Sequence, residues 1–129
     1  MREPLRGAAV AFGLLACGAA LSACGRAQGS PARGVPGGDV HRGRAAIVAY
    51  GCGSCHMIPG IEGADGLVGP PLIHFGSRVY IAGEVTNTPE HLLAWIEAPQ
   101  AIEPGTAMPN LGVSEAEARD IAAYLYTLR

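Results

Sequence analysis

The run Cys52-Gly53-Ser54-Cys55-His56 places two thiols close together and directly ahead of an imidazole. Three chemistries use such residues. Structural zinc takes four thiolate or imidazole donors in a tetrahedral array. A thioredoxin-like pair cycles between dithiol and disulfide, at the start of a helix that follows a strand. A c-type haem is attached through two cysteines spaced in this way, which bond to its two vinyl groups while the next histidine reaches the iron. The remaining histidines His41, His74 and His91 form no second Cys/His pair that would complete a zinc tetrad. Pro59 and Gly60 stop any helix soon after the cysteines, and no strand–helix–strand pattern surrounds them. The reading is therefore haem c, one group, with iron, held covalently by Cys52 and Cys55 and ligated by His56. A non-haem Cys/His metal site is the trailing alternative.

Iron has a further position on the other face of the ring. Met57 is the nearest sulfur, but a residue adjacent to the proximal ligand cannot pass around the porphyrin, so it is read as packing or rim. Met108 lies in Pro104-Gly105-Thr106-Ala107-Met108-Pro109, where flanking prolines stiffen the loop that carries the thioether. It is the expected second metal ligand, with His74 or His91 as substitutes in a bis-His alternative.

These residues need elements to hold them. Asp39 is placed to cap a helix reaching about Tyr50, with Val40, Gly43, Ile47 and Tyr50 on one face. Gly43 lowers helix stability and so hints at a close approach of another backbone. Thr88-Pro89-Glu90 opens a second helix that stops before Pro99. Ser114 and Glu117 form a capping box for the last helix, whose apolar stripe runs through Ala118, Ile121, Ala122, Leu125 and Leu128. Between Cys52 and Ala82 the chain is rich in Gly and Pro and lacks periodicity, a length of loop that is economical only if it wraps a ligand. No strand is expected, so the fold class is all-α: three to four helices with long loops around one covalently bound haem.

The 129 residues include two Phe, four Tyr and one Trp, few aromatics for a small core, and a large prosthetic group would fill the deficit. The formal charge is −2, all basic residues are Arg, and no basic patch supports a nucleic-acid-binding class. Arg2 and Arg6 precede an uncharged apolar run, Gly7–Leu21, shorter than the roughly 20 residues of a membrane span. Residues 1–23 are read as a signal peptide. Leu21-Ser22-Ala23-Cys24 resembles a bacterial lipobox, which implies lipidation of Cys24; cleavage near Ala23 without a lipid is the alternative. Residues 24–38 read as a flexible tether, and residues 39–129 as the domain. The expected location is the periplasmic side of a bacterial membrane, reached through the lipid anchor, or the soluble periplasm if there is none.

From Asp39 onward the sequence resembles a class I cytochrome c. The resemblance rests on the Cys-x-x-Cys-His run, on Gly69-Pro70-Pro71-Leu72, and on Trp95-Ile96-Glu97-Ala98-Pro99 followed by Pro104-Gly105-Thr106-Ala107-Met108. It implies that the Pro70 carbonyl accepts the His56 N–H and that Leu72 packs on the porphyrin. It also implies that Trp95 stands beside the methionine face and that Thr106 contacts a haem propionate. Arg78, with Tyr80 nearby, is a candidate propionate partner. The family's tight crossing of first and last helices places Gly43 near Tyr124 or Leu125. Asn87-Thr88-Pro89-Glu90 and Asp120–Leu125 resemble cytochrome domains of bacterial terminal oxidases. The expected function is one-electron transfer in a respiratory chain, not catalysis, between a quinol-oxidising complex and a terminal oxidase. Alternatives are the haem subunit of a periplasmic dehydrogenase, and a haem enzyme or gas sensor with a labile Met108. Ten acids against five arginines from Asp39 onward make the domain acidic, which favours partners with a basic or apolar docking patch.

Overall fold

Helix α1 (Val40–Ala49) starts where Asp39, in extended backbone, accepts the Arg42 N–H on its side chain. Helix α2 (Pro89–Glu97) starts at Thr88, which caps His91 N–H, with Pro89 filling the first-turn position that needs no donor. The last helix, α4 (Glu115–Leu125), opens on the reciprocal Ser114–Glu117 capping box. The computed structural model that carries these elements describes residues 34–129; the signal segment, Cys24 and most of the tether fall outside the described residues. Val35 is already buried, and Gly38 N–H donates to its carbonyl at 3.0 Å, so packing begins ahead of Asp39.

Three features differ from the expectation. A two-residue antiparallel pair, β1 (Tyr80–Ile81) and β2 (Val85–Thr86), interrupts an otherwise helical fold, with Ile81 opposite Val85. It is too short to show an alternating pattern in sequence. Helix α2 ends at Glu97, before Pro99 as expected, but Pro99 then opens a further short helix, α3 (Pro99–Ile102), with Pro again at the first turn. Helix α4 stops at Leu125, and Leu128 follows in a turn that closes on Gly76 through Gly76 N–H to Leu128 O, 2.8 Å.

The helices α1 and α4 form the frame. Gly43 is buried at their crossing, and a Cβ there would sit 1.9 Å from the Asp120 carbonyl oxygen. The approach is thus to Asp120, one turn earlier on α4 than Tyr124 or Leu125, because the backbones themselves touch. Asp120, 7% exposed, closes the crossing: it accepts Arg42 Nε at 2.7 Å, Arg42 Nη2 at 2.9 Å and the Asp39 N–H at 2.7 Å. Tyr50, at the end of α1, donates to Glu117 at 2.8 Å. Ile47, Leu92, Ile96, Ala118, Ile121 and Leu125 pack between the helices, and Phe75 meets Tyr126 with ring centroids 6.2 Å apart.

The Arg42 hydrogen bond holds the Asp120 carboxyl below the ordinary carboxylate range, and the Ser114 hydroxyl does the same for Glu117. A carboxylate whose pKa is lowered by folding contributes stability above its unfolded value of about 4, lost as pH falls through the folded value. Asp120→Asn is therefore expected to lower the melting temperature at neutral pH and to flatten the loss of stability in acid. Gly43→Ala gains about 1 kcal/mol of helix propensity but drives a Cβ into backbone, a clash at the upper end of the about 1–3 kcal/mol of overpacking. Thermal melts of both variants across pH check the two expectations.

Candidate haem site

Helix α1 delivers the cysteines. Beyond Tyr50 the chain turns at Gly51 (φ 68°) into a single 3-10 turn, Cys52–Ser54, and His56 N–H donates to Cys52 O at 3.0 Å. No helix continues from it, so Cys55 and His56 sit on a short loop rather than on the redox-pair geometry. Both thiols are free. Burial pushes the Cys52 thiol up, which opposes the low-pKa thiolate of a disulfide-cycling pair. Among the described residues no cluster of three or more His, Cys, Asp or Glu side chains is disposed to hold a metal ion.

A second strand of loop is laced onto this one. Ile58 N–H donates to Ala64 O (3.0 Å), Gly69 N–H to Cys55 O (2.8 Å) and Leu72 N–H to Met57 O (2.8 Å). These bonds bring the Pro70 carbonyl to the imidazole, where His56 Nδ1–H donates to it at 2.8 Å. The bond leaves Nε2 as the nitrogen with a lone pair, the atom that an iron ligand uses. Gly69 lies under the ring, since a Cβ there would stand 2.3 Å from His56 Cε1. Tyr124 on α4 donates to Pro59 O at 2.7 Å and ties the loop to the frame.

The methionine loop is held from α3. Gln100 Nε2 donates to Met108 O at 2.7 Å, and Thr106 Oγ1 accepts the Met108 N–H at 3.2 Å. Thr106 N–H returns to Glu103 O at 3.0 Å. A hydroxyl has one donor and two acceptor sites, so Thr106 retains its proton for a group in the cavity that it lines. Gln100 has no signature in sequence; it becomes visible only once α3 is known to precede the loop.

The two loops and the three longer helices enclose a cavity of about 450 Å³, within the range of cofactor sites. Cys52, Cys55, His56, Pro70, Leu72, Arg78, Tyr80, Trp95, Thr106 and Met108 all line it. Met57, His41, His74 and His91 do not. Met57 pairs with Asp65 in a backbone bridge, while His91 donates from Nδ1 to Thr86 O at 2.9 Å. Ile47, Ile58, Leu92, Ile96, Ile121 and Leu125 supply the apolar floor. Arg78 is part-committed elsewhere: its Nη2 donates to the carbonyls of Pro71 and Ile73, and its Cζ lies 5.6 Å over the Phe75 ring. Two thiols, one oriented imidazole and one thioether in an aliphatic cavity suit a covalent haem and leave no tetrahedral zinc set.

Residues 40–129 match the family model described as cytochrome c. The chain belongs to the cytochrome c family. As a c-type cytochrome it binds haem c covalently, with iron, and serves electron transfer. It is 36% identical over 90 residues to "Cytochrome c oxidase subunit 2" of Alkalihalophilus pseudofirmus, a match covering 69% of this chain and 25% of that relative. The chain thus spans about a quarter of the length of the relative it matches.

Gly69→Ala is expected to tilt the His56 ring away from Pro70 O and to cut the yield of covalently attached haem. Haem staining of denatured protein, normalised to chain, checks it. Tyr124→Phe removes one hydrogen bond and is expected to cost about 1 kcal/mol of stability with attachment retained.

Proposed function

We propose that this cytochrome c is a monohaem, class I electron carrier that ligates iron through His56 and Met108. The observation that carries the reading is that these two donors, and no other His or Met of the described residues, line the cavity that also takes Cys52 and Cys55. When bound, haem supplies a one-electron iron couple. The chain's own residues then set its conditions. The Pro70 carbonyl keeps His56 in one tautomer and makes it a stronger donor. Met108 is a neutral ligand, and the aliphatic floor disfavours added charge, so both favour the ferrous state and a relatively high potential. His56 and Met108 would both hold the iron of a bound haem, which would leave no coordination site for a substrate and so would separate a carrier from a haem enzyme or gas sensor.

The partner we propose is a terminal oxidase, supplied by a quinol-oxidising complex. The support is the likeness to an oxidase subunit, which extends over 90 residues. Cys24 is proposed as a lipid anchor on the periplasmic side of a bacterial membrane. Such a tether raises the local concentration at membrane redox complexes, so weak docking suffices.

The test is the reduced and oxidised visible spectrum of protein matured with haem attachment machinery. Covalent haem, a far-red sulfur-to-iron band in the ferric state and no carbon monoxide binding at neutral pH are expected. Met108→Ala should lose the band, gain carbon monoxide binding and lower the potential. Carbon monoxide binding by the unmodified protein would defeat the carrier reading. A bis-His spectrum would remove Met108 from the iron.

A further inference from the structure

Asn87 is 5% exposed, yet sequence reading offers it no role beyond preceding the Thr88 cap. Its side-chain nitrogen reaches a single stretch of backbone. Asn87 Nδ2 donates to Phe75 O at 3.0 Å and to Arg78 O at 3.1 Å, and Asn87 N–H donates to Val79 O at 2.8 Å. Its Oδ1 accepts the hydroxyl of Tyr126, a fully buried ring, at 2.9 Å. The loop so gripped carries Phe75, Arg78, Tyr80 and Ile81, all of which line the haem cavity.

We infer that Asn87, backed by Tyr126, is a positioning residue for Arg78, and through it for the charge and the proximal histidine of the haem site. Arg78 is the one guanidinium among the lining residues, with Glu103 the one carboxylate. A cation held at the cavity would disfavour the ferric state of a bound haem by Coulomb repulsion and so raise its potential, and the effect depends on holding the cation close. Arg78 is held at two ends. Asn87 fixes its backbone carbonyl, while its Nη2 grips Pro71 and Ile73, the residues that follow the Pro70 acceptor of His56. Tyr126 orients the amide: a hydroxyl donor on Oδ1 forces both Nδ2 protons towards the two carbonyls. Tyr126 thereby acts on the loop beside His56 without touching the cavity. Tyr126 itself does not line it.

This inference rests on the haem-carrier reading, and the experiment keeps the two apart. Matured wild-type protein first reports covalent haem and the ferric sulfur band, which test that reading. Midpoint potentials are then measured for Asn87→Ala, Tyr126→Phe, Arg78→Gln and the Asn87→Ala/Arg78→Gln pair. Asn87→Ala is expected to lower the potential, Tyr126→Phe to lower it less, and the double variant to match Arg78→Gln alone, since the amide acts through the guanidinium. Asn87→Asp keeps the acceptor for Tyr126 but faces two carbonyls without donors, and should fall with Asn87→Ala. Hydrogen exchange at the Asn87 amide, a readout independent of the haem, should quicken in both Asn87 variants. A lower melting temperature with an unchanged potential overturns the inference, as does full additivity in the double variant. Should Asn87→Ala fail to fold, Tyr126→Phe alone decides: no shift in potential rejects the role.

Discussion

The crossing of α1 and α4 is the contact on which the other parts depend. Gly43 lets the two backbones meet at the Asp120 carbonyl, where any side chain would collide. Asp120 then gathers Arg42 and the first N–H of the α1 cap, so the same residue seals the crossing and starts the helix. Its charge is buried beside an exposed partner and meets three N–H donors there. Because α1 runs directly into Cys52, this crossing sets where the haem anchors stand relative to α4.

From that frame the site is assembled by backbone bonds rather than by regular structure. The loop from Ile58 to Leu72 is laced to the cysteine turn, and one consequence is a proline carbonyl aimed at an imidazole. The methionine loop is held separately, by an amide from α3. His56 and Met108, the two proposed donors, are therefore supported by independent parts of the chain. A neutral thioether and an oriented imidazole in one cavity are the pair on which the proposed carrier role rests.

How much was legible follows from how local each signal is. The caps at Asp39, Thr88 and Ser114 act within one turn, and all three helix starts stand where those residues place them. Met57 could be set aside from geometry alone, because adjacency to His56 forbids the opposite face. The pair Tyr80–Ile81 and Val85–Thr86 was invisible, since two-residue strands carry no period. Helix α2 does stop before Pro99, but the same proline also suits a helix start, and that second role left α3 and with it Gln100 unforeseen. Arg78 was placed at the cavity but not its bonds to Pro71 and Ile73, which depend on how a loop folds back.

By itself the sequence determined the chemistry: which thiols, which imidazole and which thioether are available, and that an aromatic-poor chain leaves room for a large prosthetic group. Those conclusions need only residue types and short spacing. Tertiary structure alone decided that Gly43 meets Asp120, that Gln100 holds Met108, and that Asn87 and Tyr126 grip the Arg78 loop. Each joins segments far apart in the chain through a directional hydrogen bond or a backbone contact. Such pairings leave no periodic or local trace, so only the folded backbone selects the partner.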